Sequence, residues 1–408
     1  MLHRLRASYL LKPRLLLAPL VAISVIAASI VLPGTLAQAE PRLPTLPFGA
    51  PHVTVNVNKP GAPGYVFYTT GIAAALPLPI SVPGITTTND AAVIADKSGR
   101  VVWRYVPPAG DTVANFRTQM FNGRKVLTWW QGAGANGHGS GVDYIADTRG
   151  HVIKTLTPGN GLASDVHEFR LTPDGRALIT SYVPVTADLT SVGGPKNGTM
   201  LNCVASVIDA NSGRVLMHWS AMDHIPVTDT SMRYTGLPGL ATFDPFHMNS
   251  IALDPSGNLL ISFRNLNALY NIDAVSGAVN WRLGGKRSTI RVAPGAEFFG
   301  QHDAEYANPT TIRLFDNNIN VSNQLGDSSI KWIHIDPTHS AATLVRSQRH
   351  PAGLATAAMG NARALPNGNT FGGWGTSPHI SEFSPSGELI YDATLPVGTY
   401  RAYLDTLP

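Results

Sequence analysis

The chain has 408 residues, 44% of them hydrophobic, enough apolar side chain to bury one or two large cores. Only 14% are charged, and 39 glycines with 31 prolines imply many tight turns; long amphipathic helices are scarce and β-branched alternation is common, a mostly-β composition. The formal charge of +4 is carried by Arg4, Arg6, Lys12 and Arg14; past residue 39 the balance is zero, so no basic surface for nucleic acid is implied.

Those four basic residues precede an apolar stretch from Leu15 to Leu32, and Ala37-Gln-Ala39 has the small-x-small form of a signal-peptidase site. Residues 1–39 are therefore expected to be a signal peptide, and the protein to be exported to the periplasm or the exterior. Pro19 and Pro33-Gly34 favour cleavage; if the leader stayed, it would anchor the chain to a membrane. The single Cys203 rules out an intramolecular disulfide. Its apolar strand-like surroundings read as a buried thiol, with no base nearby in sequence to activate it.

Residues 40–63 are Pro-rich and read as an extended lead-in, with one strand-like run from His52 to Val57. From residue 64 to 408 two turn types alternate. One carries Asp or Ser followed by Gly and leads into a strand: Asp96–Gly99, Asp147–Gly150, Asp209–Gly213, Asp273–Gly277, the Gly-less Asp336–Ser340, and Ser384–Gly387. The other is a short hairpin signal: Phe121–Gly123, Pro173–Gly175, Pro255–Gly257, Asp316–Asn318 and Pro366–Gly368. Two hairpins per repeat make about four antiparallel strands, a sheet too small to stand alone. Six such sheets closing on one another make an all-β, six-bladed β-propeller. A β-sandwich offers alternating strands too, but not a repeat of this length.

Three histidines open strand-like runs in matching places: Asp165-Val-His167, Phe246-His247-Met-Asn249 and Gln301-His302-Asp303. In a propeller, matching places converge on the central axis. Counting back eight residues from turn glycines 123, 175, 257 and 368 reaches Asn115, His167, Asn249 and Gly360, at the start of the innermost strands. Counting forward seven reaches Trp130, Tyr182, Arg264 and Gly375, at the same mouth. Arg264 is thus expected near His247 and Asn249. His3, His52, His218, His224, His334, His339 and His350 read as ordinary surface or core residues; His138, between two glycines, either lines the mouth or occupies a loop. Trp281 repeats the place of Trp103 and Trp219 and reads as packing between blades.

Three imidazoles, an asparagine and an arginine can transfer an anionic group through a histidine nucleophile, with the cation holding the oxygens. They can also bind Zn²⁺ through three histidines, or form a polar plug in the channel. Asn249 and Arg264 suit an anion better than a metal ion.

The runs Asp165–Phe169, His247–Ser250, Leu260–Asn265, Ile272–Lys286, Gln301–Ala304, Thr311–Asn317 and Gly360–Gly375 together resemble the arylsulfotransferase family, the bacterial-type, nucleotide-independent aryl-sulfate sulfotransferases. The resemblance covers about residues 64–403. It implies a six-bladed propeller that moves a sulfuryl group from a small aryl sulfate donor to a phenolic acceptor. His302 matches the histidine that is transiently sulfated; His167, His247, Asn249 and Arg264 match residues that bind the sulfate and stabilise the phenolic oxygen. Neither a metal nor a nucleotide cofactor is implied. Thr376, Ser377 and His379 are candidates for further contacts in the last blade. The chain departs from the best-established members in lacking a cysteine pair and a β-domain ahead of the propeller, and so resembles a shorter branch.

Overall fold

The computed structural model describes residues 53–70, 90–236, 242–319, 324–336 and 339–407. The expected leader over 1–39 and most of the lead-in lie outside them.

The described strands form six sheets arranged as the blades of a propeller. Blade 2 shows the plan: Thr112–Phe121 innermost, then Arg124–Ala135, His138–Ala146 and Val152–Leu156, each antiparallel to the last. Blade 3 starts at Phe169–Leu171, blade 4 at Met248–Leu253, blade 5 at His302–Asn308 and blade 6 at Asn361–Ala364. Blade 1 is closed from both ends of the chain. Tyr65–Thr69, Ala92–Asp96 and Val101–Tyr105 are its outer strands, and the C-terminal Tyr403–Asp405 is its inner one. A second closure comes from Thr54–Asn58, which pairs with Leu389–Thr394 as a fifth, outermost strand of blade 6. The propeller therefore begins inside the lead-in, ahead of residue 64.

The repeated Asp turn has a local cause. The Asp96 carboxylate accepts the backbone N–H groups of Ser98 and Arg100, Asp147 those of Arg149 and His151, and Asp273 those of Val275 and Ser276. The following residue needs a positive φ, which glycine supplies at 99, 150, 213, 277 and 387; in the Gly-less copy Ser340 takes it, at 46°. One expected turn is misplaced. In blade 5 the first hairpin turns between Asn308 and Thr311, and Asp316–Asn318 follows the second strand instead. Asn308-Pro-Thr carries no glycine, which hid the real turn.

Neighbouring blades share one apolar cluster each, six around the ring among the described residues. Trp103 of blade 1 packs with Phe116 and Trp129 of blade 2. Trp219 of blade 3 packs against Phe263 of blade 4 and donates its indole N–H to the Gly277 carbonyl at 3.0 Å. Trp281 lies at the edge of the cluster between blades 4 and 5, as its repeat position implied. These contacts fix the inner strands around one axis, and hence the groups at their ends. Cys203 is fully buried in a strand of blade 3, where burial pushes its thiol pKa well up.

Candidate active site

Chain direction sorts the innermost strands. Their starts face one mouth of the ring and their hairpin turns the other. The three expected histidines sit at or just before these starts, and His138 joins them at the same mouth. The His167 and His247 ring centres are 4.8 Å apart, and His138 lies 5.3 Å from His247 and 5.9 Å from His167. His138 opens the third strand of blade 2, at the tip of a long hairpin turned by Asn136-Gly137; it lines the mouth. The Tyr182 ring packs at a tilt against His138, its centre 4.3 Å away. His302 meets Tyr400 edge-on at 5.2 Å, and Tyr400 also touches His167, at 6.0 Å.

Each inner-strand histidine is held through Nδ1. In His302 it donates to the Gly360 carbonyl at 2.7 Å. A carbonyl only accepts, so the proton is on Nδ1 and Nε2 keeps its lone pair. His247 Nδ1 bonds the Asp244 carboxylate at 2.6 Å, and His167 Nδ1 bonds that of Asp165. The same carboxylates accept the backbone N–H of His247 at 2.9 Å and of His167 at 3.0 Å. Side-chain and backbone bonds together lock both ring orientations. His247 and Asp303 adopt left-handed φ values of 54° and 52°, which redirect the chain where the inner strands begin.

The electrostatics divide the histidines. Burial, assisted by Arg401, drives the His302 pKa well below the usual value, so the ring is neutral at neutral pH. Burial also takes His247 down to about 4, against the pull of Asp244. His138 goes the other way: burial opposes its charge, but the Asp244 carboxylate 3.3 Å from Nε2 prevails and raises its pKa. A neutral imidazole and one poised to carry a proton share the mouth.

Arg264 lies just after the second strand of blade 4, and its backbone N–H bonds the His247 carbonyl at 2.8 Å. Its guanidinium donates to Asn265 Oδ1 at 3.0 Å and to the Ala357 carbonyl at 3.2 Å, leaving further N–H groups unspent. Asn249 is fully buried and reaches none of the imidazoles; its amide donates to the Gln301 carbonyl at 2.7 Å, tying blade 4 to the residue before His302. Thr376 accepts the Ala357 N–H and Ser377 donates to the Ala355 carbonyl, so both brace the loop that meets Arg264. His379 is turned away. Its Nδ1 lies 3.2 Å from Asp392, inside blade 6, beside His350.

Sequence reasoning missed the carboxylates. Asp165 stands two residues before His167 and Asp244 three before His247, a spacing typical of side-chain-capped turns, which was the available signal. It also missed Tyr400, whose hydroxyl donates to the His167 carbonyl at 2.7 Å, and Arg401, fully buried beneath the site.

His138, Asp244 and His247 form one set of potential metal donors, and His138, Asp165 and His167 another, each with ligand atoms within 4.8 Å. The residue types suit zinc. In both sets, however, the carboxylate already accepts an imidazole N–H, and a metal ion would have to displace that proton. A third set, His350, His379 and Asp392, fits poorly: His350 Nδ1 accepts the Ala352 N–H, so its Nε2 carries the proton directed at Asp392.

No curated protein matches this chain. Among solved structures, a Bacteroides caccae protein of unknown function aligns at 13% identity and a TM-score of 0.47, covering 81% of this chain and 93% of its own. The periplasmic gluconolactonase of Pseudomonas aeruginosa aligns at 11% and 0.46, covering 84% and 100%. A catalytically inactive virginiamycin B lyase from Staphylococcus aureus aligns at 11% and 0.42, covering 86% and 99%. The family comparison is of another order: the model for arylsulfotransferase (ASST) matches residues 117–395, a span holding all four clustered histidines, their carboxylates and Arg264. The chain belongs to the arylsulfotransferase family.

Proposed function

We propose that the protein is an exported enzyme that transfers a sulfuryl group from an aryl sulfate to a phenol through a sulfated His302. The observation that carries this reading is the His302 ring: Nδ1–H fixed on the Gly360 carbonyl, Nε2 unprotonated, and a pKa held below neutrality. In the first half-reaction Nε2 attacks the sulfur of the donor. The S–O(aryl) bond breaks as the N–S bond forms, and the departing phenolate takes a proton from His138. In the second, the acceptor phenol returns that proton to His138, its oxygen attacks sulfur, and the N–S bond breaks. Arg264 draws on the sulfuryl oxygens while charge shifts across them. His167 and His247, each with Nδ1 held by a carboxylate, present Nε2 to the substrate. Asn249, Thr376 and Ser377 act as supports, and His379, beside Asp392, takes no part in the scheme. Neither a nucleotide nor a metal enters the scheme.

The direct test is release of a coloured phenol from an aryl sulfate, with and without a second phenol. Acceptor-dependent release with parallel-line kinetics supports double displacement; absence of release with any phenol pair, on folded protein, contradicts it. Arg264→Ala is expected to lower kcat/KM by about 2–4 kcal/mol of transition-state stabilisation, by analogy with loss of an oxyanion donor. Near-normal kinetics in that variant would remove Arg264 from the scheme.

The pH profile follows from the opposite shifts. The nucleophile fails only when pH falls below the depressed pKa of His302, and the acid fails only when pH rises through the elevated pKa of His138. kcat/KM should therefore form a plateau spanning 6.5, the ordinary histidine value. A profile breaking sharply at that value would contradict the assignment.

A zinc-dependent hydrolase is the second reading, favoured by the His138, Asp244 and His247 donor set. Stoichiometric metal in the purified protein, with activity lost to a chelator and restored by zinc, would select it.

A further inference from the structure

The mouth opposite the histidines holds a cavity of about 590 Å³, lined where the inner strands run into their hairpin turns. Arg117, Arg170 and Arg363 project into its wall. They belong to a buried ionic network that fills the channel between the two mouths. Glu168 accepts from Arg117 at 2.9 Å and from Arg401 at 3.0 Å. Asp303 accepts both Nη groups of Arg363, at 2.7 and 2.9 Å. Glu305 pairs with Arg170 at 2.9 Å and with Arg313.

The charges do not balance. Five guanidiniums meet three carboxylates, which leaves two positive charges in a largely desolvated channel. Asp405, also on the cavity wall, is paired with Lys125 at 2.8 Å and does not answer the surplus. Several guanidinium donors are also unmatched: Arg117 Nε, and Arg170 Nε and Nη2, are buried without hydrogen-bond partners, the nearest carboxylates to Arg170 Nη2 being 3.6 and 3.8 Å away. Buried cations without counter-charges are costly, and a cavity beside them is where a counter-ion resides.

We infer that this second mouth binds a small tetrahedral oxyanion of the sulfate or phosphate class, held by Arg117, Arg170 and Arg363. A dianion matches the surplus of two, and the unpartnered Nη2 of Arg170 is a donor for its oxygens. The site does not depend on sulfuryl transfer at the first mouth.

The test is calorimetric titration of the full chain with sodium sulfate, and separately with inorganic phosphate, at constant ionic strength set by chloride. Two variants address the cavity. Arg170→Gln removes one surplus charge. Ala364→Glu places a carboxylate at an exposed position on the wall and supplies the missing charge from within, with little risk to folding. Arg264→Ala serves as the control for anions held at the histidine mouth. Saturable binding that persists in Arg264→Ala and weakens at least tenfold in Ala364→Glu and Arg170→Gln is the expected result. Absence of saturable binding in the unaltered protein, or undiminished binding in Ala364→Glu, overturns the assignment.

Discussion

Alanine in place of His302 is expected to reduce acceptor-dependent transfer by at least about 10³-fold, the order seen when a covalent nucleophile is removed. His247 and His167 also hold Nδ1 on a carboxylate, of Asp244 and Asp165, so the variant separates His302 from them; both tyrosines at the mouth spend their hydroxyls on backbone carbonyls, Tyr182 on Met248 and Tyr400 on His167. The structural cost should be small by comparison. The ring makes one hydrogen bond, to Gly360, and leaving that carbonyl unsatisfied costs about 1–3 kcal/mol. Circular dichroism and a thermal melt separate the outcomes: a folded, inactive variant supports the assignment, and a folded, active one refutes it.

The largest expected effect on stability belongs to Glu168→Gln. The substitution keeps shape and volume while removing a carboxylate that is fully buried and shared by Arg117 and Arg401. Those two cations would lose their compensating charge in a channel that already carries a positive surplus. Breaking one partner out of a buried ionic set costs about 3–5 kcal/mol. The effect carries its own pH signature. Burial alone would raise the Glu168 pKa, but Arg401, Arg170 and Arg117 outweigh it and pull it down from 4.5 to about 2. A carboxylate depressed by folding contributes stability that is complete above its unfolded pKa and is lost as pH falls through its folded one. Denaturant unfolding should thus show a wide gap between the two proteins at pH 7 that narrows between about 4.5 and 2. A gap independent of pH would point to packing rather than charge.

Much of the blade architecture could be read from the turns, because each turn's chemistry is local: an aspartate that caps its own backbone and a residue that tolerates positive φ. Where the chemistry changed, the reading slipped, as at Asn308–Thr311, a turn without glycine. The two ring closures were illegible for a different reason. Tyr403–Asp405 and Thr54–Asn58 are short strands that acquire their role only from partners far away in sequence, at Tyr65–Phe67 and Tyr391–Thr394. The same contrast holds at the mouth. The histidines were found because they recur near the starts of the inner strands. Tyr400 and Arg401 were not, because they lie outside the repeat, on the approach to the closing strand. For Asn249 the register gave the place near the mouth but not the bond its amide makes to the Gln301 carbonyl, since register says where a residue stands and not which neighbour takes its hydrogen bond. His379 shows the limit most clearly, with a sequence position near the mouth and a side chain held by Asp392.

Transfer through His302 requires that sulfur bond to one particular nitrogen. The measurement that addresses it most directly is an intact mass of the protein after brief exposure to an aryl sulfate without acceptor, followed by peptide mapping under conditions that preserve an N–S bond. One added sulfuryl group on His302, released when a phenol is supplied, is the expected result. A label on another residue, or phenol release with no label under any trapping condition, would contradict it.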